Sequence, residues 1–359
     1  MRPAHAVIDL AALRHNLARA RAAAPGARAI AIVKADGYGH GAARLLPALA
    51  DADMLGVACI EEALALRAAG ATQPVLLLEG VFSADELPVC AEQDFEIAIH
   101  DPLHVEWLER ARLATPLRVW LKLDSGMHRL GVRPQQVAPL LARLRVCANV
   151  APPIGVMSHL ACADEPARAE TAAQLETFAA ATAGLPVRRA LSNSAGVLAW
   201  PAAHHDWIRP GIMLYGATPM LGRTGPEDGL KPVMTLSSAL ISVKRLQAGE
   251  PVGYSGAWRC PRDTTIGVVA MGYADGYPRH APSGTPVLVN GRRTQVVGRV
   301  SMDMLCVDLG EQPGARIGDP VTLWGEGLPA ELVAEAAGTI AYELFCNLAA
   351  RVHVRVIDG

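Results

Sequence analysis

Ala29-Ile30-Ala31-Ile32-Val33-Lys34-Ala35-Asp36-Gly37-Tyr38-Gly39-His40-Gly41 places an uninterrupted apolar run in front of a lysine and a loop punctuated by three glycines. A short β-branched run of this kind reads as a strand buried on both faces, and the glycines as its exit into the next helix. The same grammar repeats downstream. Strands are expected at Met54 to Ala58, Pro74 to Leu78, Phe95 to Ile99, Leu117 to Leu123, Ile154 to His159, Arg189 to Ser192 and Trp207 to Leu214. Helices such as Ile60 to Ala69, Ala84 to Glu92 and Asp164 to Ala183 read between them. Eight strand–helix units predict an α/β fold with an N-terminal (β/α)8 barrel over residues 1–228. An open doubly wound sheet is the alternative, because periodicity does not report closure.

After the Gly/Pro-rich stretch Thr218 to Pro232 the pattern changes to closely spaced strands, at Met234 to Leu246, Thr265 to Met271 and Pro286 to Val289. A mainly-β C-terminal domain over residues 229–359 is expected, with one helix around Pro329 to Ala337. Asn290-Gly291 is a hairpin turn in this reading, since both residues tolerate positive φ.

Composition excludes several classes of function. Apolar residues at 51% and charged ones at 19% describe a globular chain. No run approaches the ~18 apolar residues that a membrane span needs. The N-terminus places Asp9 where a signal peptide would carry its apolar core. Seven scattered cysteines without a C-x-x-C fit a reducing cytoplasm better than a disulfide framework. A net charge of −2 gives no basic surplus for nucleic acid. His100 and His104 have helical spacing but no third ligand, and His204 and His205 are adjacent in a loop, so surface histidines are expected and no metal site.

Lys34 is the residue with chemical promise. The C-terminal ends of barrel strands carry active sites, and a partly desolvated amine is available for a Schiff base with an aldehyde cofactor. Two other readings compete on this loop alone. The lysine could simply cap a strand, or Gly37-x-Gly39-x-x-Ala42, with Glu61 or Glu62 beyond the second strand, could be a dinucleotide fingerprint.

Val33-Lys34-Ala35-Asp36-Gly37-Tyr38-Gly39-His40-Gly41 resembles the cofactor-attachment motif of the bacterial alanine racemases. The similarity continues through Lys122 to Gly131, Ser192 to Gly196, Arg209 to Gly216, Gly253-Tyr254, Gly272 to Arg279, Gly298 to Asp303 and Tyr342-Glu343. It spans nearly the whole chain, and that family's fold is a (β/α)8 barrel followed by a β domain.

What the resemblance implies is a pyridoxal 5′-phosphate enzyme that interconverts the alanine enantiomers, either to supply D-alanine for peptidoglycan or in alanine catabolism. Racemisation removes the α-proton from one face and returns one to the other, which takes two bases. By resemblance Lys34 serves D-alanine and Tyr254, reaching in from a second subunit of a homodimer, serves L-alanine. Tyr38, His159, Ser194, Arg209, Gly211, Ile212 and Tyr342 are the implied cofactor contacts. His159 and Arg209 are also the implied partners of the tyrosine base, and Arg209 faces the ring nitrogen. Guanidinium only donates, so that nitrogen would stay unprotonated and the ring a weaker electron sink. Arg129 and the Met302 backbone are implied to hold the substrate carboxylate. Lys122 matches a lysine that many relatives carbamylate; a plain ion pair with Asp124 is the alternative. Asp303 is implied as a supporting residue, and Asp164, Tyr273, Arg279 and Arg299 as lining the approach to the site. Ser194 could instead cap the helix starting at Ala195. The rival classes are a non-catalytic cofactor carrier, which would not need Tyr254, and a nicotinamide oxidoreductase.

Overall fold

The computed structural model describes residues 2–358. Eight parallel strands close into a barrel in chain order, so the open-sheet alternative is set aside. With β1 (His5–Asp9) preceding them, they are β2 (Arg28–Ile32), β3 (Met54–Val57), β4 (Val75–Leu77), β5 (Phe95–Ile99), β6 (Leu117–Lys122), β7 (Val150–Met157), β8 (Arg188–Ala190) and β9 (Trp207–Ile208). Closure is made by Arg28 and Ala29 pairing with Trp207 and Ile208.

The barrel is a packed core. Trp120 lies fully buried inside it, and a Cβ added at Gly155 would sit 2.1 Å from its ring, so only glycine lets β7 pass. Glu96, also buried, accepts from Trp120 Nε1 at 2.6 Å, Arg118 Nε at 2.9 Å and Arg188 Nη2 at 3.0 Å, while the Arg188 guanidinium lies 4.4 Å from the Trp120 ring centre. A buried carboxylate is tolerated here because donors surround it.

Two expected boundaries move for identifiable reasons. The last barrel strand stops at Ile208 because Pro210 cannot extend the ladder, and residues Ile212–Tyr215 form a 3-10 turn instead. The helix expected from Asp164 begins at Glu170, after Pro166 has kept its predecessor out of helical backbone.

The strand that sequence reading omits, β1, lies outside the barrel. It pairs antiparallel with β10 (Met234–Leu246) and parallel with β18 (His353–Ile357). Between these come β11 (Pro251–Val252), β12 (Trp258–Arg259), β13 (Thr264–Val269), β14 (Pro286–Val289), β15 (Arg292–Val297), β16 (Leu305–Asp308) and β17 (Pro320–Trp324). The second sheet has the order β13-β16-β15-β14-β17-β10-β1-β18, and β10 also pairs β13. The first residues of the chain therefore tie the two layers of the molecule together. Asp9 ends β1 and caps the helix Leu10–Ala23 by accepting from Ala11 and Ala12 N–H. From that helix, buried Asn16 donates to the Leu214 and Lys231 carbonyls and accepts from Lys231 N–H. Among the described residues, no helix is long and apolar enough to cross a membrane.

Candidate active site

β2 delivers Lys34 to the C-terminal end of the barrel, and the backbone then makes a left-handed helical turn. Ala35 (φ 53°, ψ 49°), Asp36 (φ 51°, ψ 48°) and Gly37 (φ 64°, ψ 44°) all take left-handed values, and Tyr38 follows with φ 52°. Each non-glycine residue in that conformation costs roughly 1–2 kcal/mol, so the turn persists only because its surroundings hold it. The Glu62 carboxylate accepts Ala35 N–H at 2.7 Å and Ala58 N–H at 2.8 Å, and Asp36 Oδ1 accepts Ala42 N–H at 2.8 Å. His40, buried between Tyr215 and Phe345, bonds through Nδ1 to the Tyr38 carbonyl. Glu62 thus serves as a clamp on the loop and is not free for a ribose. The dinucleotide reading keeps only exposed Glu61 as an acidic candidate, and the glycines serve a left-handed turn held by Glu62.

The turn opens onto a cavity of about 630 Å³. It gathers Lys34, Tyr38, Lys122, Arg129, His159, Ser194, Arg209, Gly211 and Ile212, which lie far apart in sequence but at the ends of β2, β6, β7, β8 and β9 or in the loops around them, and Tyr342, which comes from the helix Ala341–Cys346 beyond the barrel. A barrel makes this convergence, because the ends of all eight strands face the same space.

Arg209 is buried. Its Nη2 donates to the Ser158 and Leu191 carbonyls, while Nη1 is buried without any protein partner. A buried N–H without an acceptor calls for one, and a ligand in the cavity that Arg209 lines would supply it. Burial lowers the Arg209 pKa to about 10, which still leaves it charged at neutral pH. Its charge acts on the neighbours. Lys122 is pushed down to about 8, by burial first and then by Arg209 and Arg129. His159 is held well below its ordinary value by burial and by Arg209, Lys122, Arg129 and Lys34, and is therefore neutral. The ion pair between Lys122 and Asp124 does not form: Lys122 Nζ donates to the Leu78 carbonyl at 3.3 Å, and Asp124 is engaged by Gly126, His128 and Arg133.

The opposite wall is polar and uncharged. Ser194 Oγ accepts Gly211 N–H at 2.8 Å and Met213 N–H at 3.3 Å, joining the loops after β8 and β9. The cap of the helix Ser194–Ala199 is Asn193, whose Oδ1 accepts Gly196 N–H, so Ser194 is released from capping. A Cβ at Gly211 would stand 2.7 Å from the Tyr38 hydroxyl, so a bare backbone is what lets the two approach. Burial raises the Tyr38 and Tyr342 pKa values, keeping both phenols as neutral donors. A buried unpaired guanidinium nitrogen, a strand-end amine and a neutral cradle of hydroxyl and backbone groups fit a phosphorylated pyridine aldehyde.

The remaining expected residues do not line this cavity within the same chain. Tyr254 is 66% exposed, on a single turn after β11, and Met302 is 53% exposed. They form a second group on the β domain with Tyr273, Arg299 and Asp303: Arg299 Nη1 donates to Ser255 Oγ, Tyr273 N–H to the Ser301 carbonyl and Ala274 N–H to the Met302 carbonyl. Arg279 lies beside Tyr273 in a neighbouring depression of about 340 Å³. Asp164 is half-buried, and its charge contributes to the upward shift at Tyr342. Sequence reading missed Glu62 as the clamp, Glu79 and Cys346 in the cavity wall, and Asn193 as the cap. Only Asn193, a preferred capping residue, carried a local signal. The histidines also need correction: His104 is buried rather than on the surface, and its ring lies 4.4 Å from that of half-buried His100.

Comparison with known proteins agrees with this geometry. Residues 8–219 match the family model of the alanine racemase N-terminal domain, and residues 233–356 that of the alanine racemase C-terminal domain. The chain is 54% identical over 359 residues, the full length of both, to the biosynthetic alanine racemase of Escherichia coli strain K12. The biosynthetic alanine racemase of Pseudomonas aeruginosa superposes with a TM-score of 0.97 at 50% identity, over 99% of this chain and 100% of that one. Alanine racemase of Acinetobacter baumannii gives 0.94 at 39% identity, again over 99% and 100%. With both domains matched along nearly their whole length, the chain is a member of the alanine racemase family, an isomerase of the amino-acid racemase class.

Proposed function

We propose that this protein interconverts L- and D-alanine with pyridoxal 5′-phosphate, using Lys34 and Tyr254 as bases on opposite faces of the α-carbon, and that it works as a homodimer in the cytoplasm to supply D-alanine. The observation that carries the reading is the cavity at Lys34, whose one buried and unpartnered donor, Arg209 Nη1, faces a space walled by the strand-end amine and a neutral hydrogen-bonding cradle. When bound, the cofactor supplies an aldehyde carbon for the Lys34 amine and an electron-withdrawing ring that acidifies the α C–H.

The chain's own groups do the rest. Ser194, Tyr38, Tyr342 and the Ile212 backbone hold the phosphate, together with the Gly211 backbone, whose N–H donates to Ser194 Oγ in this structure. Arg209 would donate a hydrogen bond to the ring nitrogen and, with its pKa still about 10, is too weak an acid to give that nitrogen its proton. Arg129, at the exposed mouth of the cavity, binds the substrate carboxylate together with the Met302 backbone. Lys34 Nζ takes the α-proton of D-alanine while the Tyr254 hydroxyl gives one to the other face; L-alanine reverses the two roles. Tyr254 stands outside the cavity of its own chain, which favours its delivery by a second copy. The related enzymes named biosynthetic support D-alanine supply over catabolism.

The test is the purified protein. It should show visible absorbance that borohydride abolishes while leaving the cofactor covalently on Lys34, racemise alanine far faster than serine or lysine, and restore growth without D-alanine to a bacterium lacking its own racemase. Absence of the absorbance removes the cofactor assignment, and comparable turnover of D-serine removes the assignment to alanine.

A further inference from the structure

Asp275 is a buried carboxylate in the β domain, away from the Lys34 cavity, and its side chain is wholly enclosed. Burial of an ionised carboxylate is costly unless charge and hydrogen bonds compensate it. Here the compensation is unusually complete. Arg351 Nε donates to Oδ1 at 2.7 Å, Arg2 Nη2 to Oδ2 at 2.7 Å and Gly272 N–H to Oδ2 at 2.8 Å. Both arginines then reach past Asp275 to one target. Arg351 Nη2 donates to Asp303 Oδ1 at 2.7 Å, and Arg2 Nη2 to the Asp303 backbone carbonyl at 2.6 Å.

The same Asp275 loop holds the chain on the other side of Asp303. Tyr273 N–H donates to the Ser301 carbonyl and Ala274 N–H to the Met302 carbonyl, both at 3.0 Å. A Cβ at Gly272 would fall 2.4 Å from the Ser301 and Met302 carbonyl oxygens, so the two loops lie in direct backbone contact. The Asp275 carbonyl accepts Ala349 N–H, which fixes this loop to the segment that carries Arg351. Ser301 is half-buried, but Met302 and Asp303 are exposed, and the Met302 side chain joins no core. Three segments distant in sequence, at Arg2, Gly272–Asp275 and Arg351, therefore converge to hold one surface loop.

We propose that Asp275, with Arg2 and Arg351, is a positioning unit that fixes the Ser301-Met302-Asp303 loop in the conformation that presents the Met302 backbone to the substrate carboxylate. This rests on the proposed carboxylate role of Met302. Asp275 acts through two arginines and touches no substrate. A bidentate arginine is needed at 351 because one guanidinium must engage two carboxylates at once, which a lysine's single ammonium does less well.

The experiment measures KM and kcat for both alanine enantiomers, cofactor absorbance and melting temperature in the holoenzyme. It compares Asp275→Asn, the milder Arg351→Met and Arg351→Lys, with Arg129→Lys as reference for the carboxylate site. Arg351 is 40% exposed, and its replacement leaves Asp275 with Arg2 and the Gly272 N–H, so Arg351→Met disturbs the fold less than Asp275→Asn. The expected result is KM raised about tenfold in Arg351→Met with cofactor absorbance near that of the parent, alongside the lower melting temperature that a less compensated Asp275 entails, and partial recovery of KM in Arg351→Lys. Unchanged KM in Arg351→Met while Arg129→Lys raises KM overturns the positioning role and leaves the function proposed above standing. Unchanged KM in Arg129→Lys as well removes the carboxylate reading itself, and the positioning proposal with it. A fall in melting temperature with no rise in KM assigns the network to stability alone and likewise overturns the proposal.

Discussion

Gly211→Ala isolates the cradle opposite Lys34 with the smallest possible change. The residue has φ −118°, so alanine meets a steric obstacle and not a left-handed backbone. The new Cβ would stand 2.7 Å from the Tyr38 hydroxyl and 3.5 Å from its ring carbon, where ordinary contact begins at 3.4 Å. Relief demands a retreat of about 0.7 Å, the difference between 3.4 and 2.7. Tyr38 cannot easily give it. Its ring is 4.7 Å from Tyr215 and 5.9 Å from Tyr342, and its backbone closes the left-handed turn that carries Lys34. The alternative is for Gly211 to move, which stretches its 2.8 Å bond to Ser194. Overpacking of this kind costs about 1–3 kcal/mol. Because the distortion falls on groups proposed to hold the phosphate, it should appear as roughly a tenfold to hundredfold loss of cofactor affinity at ~1.4 kcal/mol per decade. The assay is titration of the apoenzyme with pyridoxal 5′-phosphate, read by visible absorbance. Gly314→Ala serves as control, since a Cβ there meets nothing within 4 Å. Parent-like affinity in Gly211→Ala would refute the placement of the phosphate between Tyr38, Ser194 and Gly211.

Tyr254→Phe should keep the cofactor absorbance and lose racemisation in both directions equally, because the enantiomers have equal free energies. Exchange of the D-alanine α-hydrogen with solvent deuterium should continue through Lys34, and full racemisation by the variant would rule out the tyrosine as a base. Lys122, with its pKa lowered to about 8, is about half neutral at that pH and hence competent to add carbon dioxide. Carbon-13 NMR in labelled bicarbonate should show a carbamate carbon that Lys122→Met lacks, and identical spectra would exclude the modification. Burial lowers His40 and His104 each to about 4. Between pH ~6.5 and ~4 the unfolded chain binds protons that the folded one excludes, so stability should fall with falling pH by up to ~1.4 kcal/mol per pH unit for each group. Urea midpoints at pH 7 and pH 5 measure this, and His104→Phe should flatten the slope; an unchanged slope in that variant would assign the acid sensitivity elsewhere.

The barrel was legible because its strands carry their own signal. Phe95–Ile99 in the barrel, like Met234–Leu246 and Pro286–Val289 in the second sheet, has the bounds its apolar pattern implies, and Asn290 and Gly291 both have positive φ. β1 was not legible, since its five residues gain their place only from partners more than two hundred positions away, at Met234–Ser237 and His353–Ile357. Lys34 stood out by its place at a strand end, while His159, Ser194 and Arg209 entered through the family resemblance; the structure brings all four to one cavity because the barrel gathers its strand ends. The left-handed turn was not legible. Its cause is the Glu62 clamp, and a glutamate beyond the second strand reads equally well as a ribose ligand until its hydrogen bonds are seen.

Charge decides what such a cavity can hold. Lys34, Lys122, Arg129 and Arg209 line it against the single carboxylate of Glu79, and burial weakens the screening between them. The consequence is written in the neighbours: burial and the same four cations hold His159 neutral, and burial together with Arg209, Arg129 and Lys34 brings Lys122 within reach of losing its proton. Such a site is electrostatically incomplete alone and suits a ligand that brings negative charge at two places, one near the Ser194 cradle and one near Arg129. The proposed cofactor's phosphate and the amino acid's carboxylate would supply that pair. This division would also account for the neutral cradle: hydroxyl and backbone donors would orient the phosphate, while the balancing charge stands across the cavity, beside the groups proposed to move protons.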